Sequence, residues 1–235
     1  MFAALRGNHP TQGLKALVAV ERRAFGWSYL SDEAGSQAET AFDRFAAIVE
    51  SQQLAPPNTP LEPQAMNDLK LFAERARGFQ HWISGSGTEA GSAAREALLE
   101  LVGLYGAALA LPSPFLARSG TDQSARVDDA EVDRARAWCA RLPFQHYSEV
   151  FDPTVVPPED PVIGDVSDDI ADIYRDVVTG LRLFDAGDVD DALWEWSFNF
   201  RIHWGKHAAD AIRAIHLWLA SHEPDQLSRP NPGAP

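Results

Sequence analysis

The apolar residues of this chain recur three and four positions apart through nearly every long segment, and no stretch alternates as a half-buried strand would. That period restricts the chain to an all-α fold, expected here as a helical bundle closed by a C-terminal antiparallel hairpin. Segments 13–25 and 37–54 carry Leu14, Leu17, Val18 and Val20, then Phe42, Phe45, Ile48 and Val49. A proline-rich run, Ala55-Pro56-Pro57-Asn58-Thr59-Pro60, separates them from the rest of the chain. Helices are expected over 64–83, through Met66, Leu69, Phe72, Phe79 and Trp82, and over 93–111, through Leu98, Val102, Tyr105 and Leu109. A Gly/Ser-rich loop over 84–91 parts those two, and a second loop covers 112–125. Asp128 and Asp129 suit the start of a helix running to residue 141, because acids there meet the positive end of the macrodipole.

Four prolines between 152 and 161 mark a third break. Ser167 is the expected N-cap of a helix over 168–184, and the turn Asp185-Ala186-Gly187-Asp188 leads into one long helix over 190–221. The domain organisation read from this is an N-terminal helical extension over 1–60, a helical domain over 61–222 and a disordered tail over 223–235. No fixed-period repeat occurs.

With 45% hydrophobic residues, seven Trp and twelve Phe in 235 residues, the chain can build a sizeable core. Its formal charge of −14, with twenty Lys and Arg spread along the chain, excludes nucleic acid as an expected partner, and the same field disfavours anionic membranes. A basic protein is the partner class such a field suits. The single cysteine, Cys139, excludes an intrachain disulfide and reads as a small buried hydrophobe. The most apolar stretch, 97–111, is interrupted by Glu100 and too short to span a bilayer, and residues 1–10 lack a signal core. A cytoplasmic location is therefore expected.

The most distinctive residues begin at Tyr147-Ser-Glu-Val-Phe-Asp-Pro153. Asp168-Asp-Ile-Ala-Asp-Ile-Tyr-Arg-Asp176 comes next, then Gly187-Asp188 and Ala192-Leu-Trp-Glu-Trp-Ser-Phe-Asn-Phe-Arg-Ile-His-Trp-Gly-Lys-His-Ala208. These resemble the bacterial domain of unknown function 5063 family, most strongly over 147–219. The resemblance implies an all-helical fold and carries no activity. The turn at Gly187-Asp188 with Ala192 beyond it is also similar to one tetratricopeptide unit, although stable arrays need several.

Few motifs carry chemistry. Gly85-Ser-Gly-Thr-Glu-Ala90 formally fits a dinucleotide fingerprint, but it lies between helices and lacks the preceding strand the fingerprint needs. His203 and His207 have the spacing that lets two imidazoles meet one metal on a helix. Without an evident third ligand, no metal and no cofactor are expected. A single helix drawn through 190–221 puts Glu195, Asn199, His203, Lys206, Asp210 and Arg213 on one solvated arc, with His207 at its edge. Arg201 and His216 fall on the opposite, apolar side. A buried guanidinium stays charged and needs an anion, whereas His216 reads as a satisfied core histidine.

The preceding helix offers that anion, since Asp169, Asp172 and Asp176 form a stripe away from its apolar side. Equal rises counted from the turn bring Asp176 level with Asn199, Asp172 with His203, and Asp169 with Lys206 and His207. Three carboxylates thus face Arg201, His203 and His207. The cluster can be a structural ion-pair network, a binding pocket, or a catalytic site with Asp172 orienting His203 as a base and Arg201 holding an anion. The leading functional reading is a non-catalytic protein-binding or regulatory module. The alternative is a small helical enzyme working at this cluster.

Overall fold

A computed structural model of the chain describes residues 61–85, 93–112, 125–150, 152–158 and 160–228. All of them belong to one compact unit. The two helices expected before residue 60 lie outside the described residues. The described part is helical apart from one two-stranded sheet: α1 Pro63–Ser84, α2 Ala93–Ala108, α3 Asp129–Trp138, β1 His146–Glu149, β2 Val162–Asp165, α4 Val166–Ala186, α5 Val189–Ile202, α6 Trp204–His222 and the single turn α7 Pro224–Leu227. No helix among these is long and apolar enough to cross a membrane.

Local chemistry sets most boundaries. Asp128 caps α3 through a reciprocal capping box with Glu131, which satisfies two amides that the first turn leaves without partners. A short 3-10 turn, Cys139–Arg141, extends α3 to the expected residue 141. There Cys139 is fully buried and donates its thiol to the Ala135 carbonyl, 3.3 Å away. Burial pushes its pKa up to about 12. The chain then pairs His146, Tyr147, Ser148 and Glu149 with Asp165, Gly164, Ile163 and Val162 in an antiparallel hairpin around the proline-rich loop. Periodicity does not predict that sheet, because four-residue strands are too short to show alternation.

The start of α4 corrects another expectation. Asp165, not Ser167, is the cap, and its carboxylate accepts from the Ser167 amide and hydroxyl at 2.8 and 2.7 Å. Gly187 ends the helix at φ 91°, a left-handed conformation that glycine adopts without steric cost. The Asp188 amide reaches back to the Leu183 carbonyl at 2.9 Å, as in a Schellman turn.

The C-terminal helix is two helices. The chain leaves the helical path at His203, with φ −140° and ψ −90°, and restarts at Trp204. Gly205 makes the junction possible, since a Cβ there would overlap the Phe200 carbonyl oxygen. α5 is central: residues 191–199 are all buried, Glu195 and Asn199 included, with the Asn199 amide donating to Glu195 at 3.0 Å. α6 instead buries one stripe, Trp204, Ala208, Ala211, Ile215 and Leu219. The two phases differ, so a single wheel through both misplaces residues on each. His216 and Arg201 are exposed, and Glu195, Asn199 and His203 are buried.

The core is pinned by indoles. Trp196 donates to the Val177 carbonyl at 2.8 Å and Trp204 to the Trp196 carbonyl at 3.2 Å, while Phe72 of α1 meets Trp196 edge-on at 4.8 Å. These bonds satisfy the two largest fully buried side chains and lock α4, α5 and α6 in register.

Candidate functional site

The α4 stripe faces the α5–α6 junction. Asp176 and Asp169 are 3% and 5% exposed, and such carboxylates persist in an interior only when paired. Asp176 Oδ2 lies 2.7 Å from His203 Nδ1, and Asp169 Oδ1 lies 2.7 Å from His207 Nδ1. With both carboxylates ionised, each Nδ1 bears the proton and donates it. Each ring then turns its Nε2 toward Asp172, between the two acids. Asp172 Oδ2 is 3.9 Å from His203 Nε2 and 3.8 Å from His207 Nε2. These separations exceed a hydrogen bond. The imidazoles meet edge to face at 4.9 Å between centroids.

A second layer fixes the first. Arg175 Nη1 donates to Asp172 Oδ1 at 2.5 Å, leaving Oδ2 toward the histidines. The Tyr147 hydroxyl donates to Asp169 Oδ2 at 2.7 Å, opposite the oxygen that meets His207. Lys206, at the rim, pairs with Glu149 of β1 and with Asp210. Burial lowers the affinity of His203 for a proton, but the Asp176 charge and hydrogen bond and the Asp172 charge outweigh it, so its pKa is raised. Burial raises the pKa of Asp169 despite the opposing bonds from His207 and Tyr147. Burial and then the Asp169 charge push the Tyr147 hydroxyl far above its ordinary value, so it remains a donor.

Of the six residues singled out in the sequence, five converge: Asp169, Asp172, Asp176, His203 and His207. Arg201 ends α5 on an exposed position, because the helix stops one residue later and its wheel does not continue into α6. The cation that meets Asp172 of the stripe is Arg175, which comes from α4 itself. The register differs in two places, one of them being Lys206, which pairs with Glu149 and Asp210 rather than with Asp169. Asp176 meets His203 rather than Asn199, because the chain departs from the helix at His203, while Asp169 meets His207 as the equal rises require. Asp168 points away and pairs with Arg136 at the surface, 2.9 Å apart. Sequence reasoning misses Tyr147, Glu149 and Arg175 in the site. Tyr147 and Glu149 share one face of β1, a two-residue spacing that becomes informative only once the strand is known.

Asp172, His203 and His207 place one donor atom each within 4.8 Å of one another, the grouping among the described residues that can hold a metal ion. The third group that the sequence left unassigned is Asp172. Two imidazoles and one carboxylate suit a divalent first-row transition metal such as zinc or ferrous iron.

A family model described as "Domain of unknown function (DUF5063)" matches residues 65–221, most of the chain. The chain belongs to the DUF5063 family. All five converging residues, and Tyr147 and Arg175 beside them, lie inside the DUF5063 match. A solved structure, protein BF1032 from Bacteroides fragilis, is similar to 68% of this DUF5063 chain and 98% of its own, with a TM-score of 0.53 and 20% identity. At that identity the likeness concerns the fold. No curated protein matches the DUF5063 chain.

Proposed function

We propose that this chain is a metal-binding helical protein whose centre is formed by His203 Nε2, His207 Nε2 and Asp172 Oδ2. The observation that carries the reading is the engagement of both Nδ1 atoms by buried carboxylates, which turns both Nε2 atoms toward one Asp172 oxygen. Metal-bound histidines characteristically donate their other ring N–H to a carboxylate or carbonyl, which fixes the tautomer and raises the basicity of the ligating nitrogen. Here each of the three ligands has such a partner: Asp176, Asp169 and Arg175.

The spacing supports the same reading. Separations of 3.8 and 3.9 Å are too long for the histidines to hydrogen-bond Asp172. Metal bonds of about 2.0–2.2 Å hold adjacent donors roughly 3.0–3.5 Å apart, so on loading each Nε2 draws toward Asp172 Oδ2 by about half an ångström, and the two imidazoles close from a spacing within 4.8 Å. His203 sits deep, whereas Asp172 and His207 are partly exposed, so an ion there is reachable from solvent. Three protein ligands leave positions for water or substrate, as in catalytic rather than structural sites. The centre is thus of the kind that activates a bound water or substrate oxygen, which favours the enzyme over the passive module.

Protein prepared without an affinity tag, stripped with a chelator and titrated with zinc, ferrous iron, manganese or cobalt tests this. One ion per chain is expected, and His203→Ala and His207→Ala should each abolish stoichiometric binding. Stoichiometric binding that survives both substitutions, or none in the native chain, contradicts it.

A further inference from the structure

The three ligands are not supported equally. Asp176 and His203 lie deep between α4 and the junction, 4% and 9% exposed in their side chains. His207 is 26% exposed, so packing alone restrains its ring less. What compensates comes from outside the helices. Tyr147 lies opposite Gly164 in the hairpin, and its ring covers that residue so closely that a Cβ there would lie 2.5 Å from Cζ and 2.7 and 2.9 Å from Cε2 and Cε1. An aromatic ring laid over a cross-strand glycine is a recognised way of fixing both. The ring so held aims its hydroxyl at Asp169 Oδ2, 2.7 Å away, and Asp169 Oδ1 meets His207 Nδ1, also at 2.7 Å. Glu149, on the same strand face, binds Lys206 of α6 next to His207. Val166 donates its amide to the Gln145 carbonyl at 2.9 Å, tying the start of α4 to the residue before β1. The hairpin is therefore fastened to both helices that carry the site.

From this geometry we infer that Tyr147, held over Gly164, is a positioning residue that sets the orientation and tautomer of His207 through Asp169. Its consequence for metal affinity rests on the metal-binding reading above, but its effect on the imidazole does not. Without the Tyr147 hydroxyl, the Asp169 carboxylate can rotate about its Cβ–Cγ bond out of the plane in which it meets Nδ1, which weakens that hydrogen bond and lets water compete for the partly exposed ring. His207 then divides between tautomers, and only the Nδ1–H form offers Nε2 to an ion.

Two readouts separate the inference from the reading beneath it. In the metal-free protein, nitrogen-15 NMR of the imidazoles reports the tautomer directly. His207 should be held as Nδ1–H in the native chain, and Tyr147→Phe should shift it toward a mixture while leaving His203 unchanged. Gly164→Ala, which displaces the ring but keeps the hydroxyl, should do the same. In the second readout, cobalt(II) titration followed by its visible absorption should show Tyr147→Phe weakening binding about tenfold, the lower end of outer-shell effects. Asp176→Asn reports the other arm: Tyr147→Phe should weaken binding by the same factor in that background. A His207 tautomer unmoved by Tyr147→Phe overturns the inference whether or not cobalt binds. A shifted tautomer in a protein that binds no metal retains the positioning role and discards the metal-binding reading.

Discussion

The pair of Asp176 and His203 sets the energetics of the site. Two groups, each at least nine-tenths buried, face one another at 2.7 Å, and neither can recover water if the other is removed. Breaking such a pair typically costs about 3–5 kcal/mol, because the remaining group is stranded in a low dielectric. Asp176→Ala should therefore lower the chemical denaturation midpoint by the equivalent of about 3 kcal/mol or more. Arg201→Ala, at an exposed position, should cost less, within the roughly 0–1 kcal/mol of a solvent-exposed contact. Near-equal effects in urea titrations of the two variants would contradict the assignment. The acids are legible without the structure, because Asp169, Asp172 and Asp176 recur at i, i+3 and i+7 and Asp176 is too far along to serve the helix start. Which cation or imidazole meets each is not, since that depends on where the next helix breaks.

At the scale of elements, the junction at residues 203–205 does most to place the site. Periodicity shows the helices of the C-terminal half and their antiparallel turn, because the amphipathic stripes there are long and Gly187 punctuates them. It does not show the break. His203-Trp204-Gly205 reads as continuous helix, and the only local signal is a glycine beside bulky aromatics. Gly205→Ala tests the junction, since a methyl there meets the Phe200 carbonyl oxygen, a backbone atom that cannot simply rotate away. The substitution should destabilise the protein by roughly 2–3 kcal/mol through forced displacement. It should also perturb the His203 and His207 ring signals together in an NMR spectrum, which a local packing defect elsewhere in α6 does not. A neutral effect on both would show that the helices join differently. The hairpin is hidden in the sequence for another reason. β1 and β2 are four residues each around a proline-rich loop, so neither has the length that a period-two pattern needs.

At the scale of the molecule, a DUF5063 domain packs α4 against α1, α3, α5 and α6. The acidic stripe of α4 lies among those contacts, opposite the two histidines. Helical class, the turn and five of the site residues can be read without coordinates because they follow from local periodicity and one count of rises. The place of Asp172 between the two Nε2 atoms cannot, since it follows from two ring rotations set by Asp169 and Asp176. The claim that joins these scales is that His203, His207 and Asp172 share one ion. It is tested most directly by crystallising tag-free protein loaded with zinc and recording anomalous diffraction on either side of the zinc absorption edge. One strong anomalous peak per chain is expected, about 2.0–2.2 Å from both Nε2 atoms and Asp172 Oδ2. No peak there, with both Nε2 atoms instead hydrogen-bonded to Asp172, would contradict it.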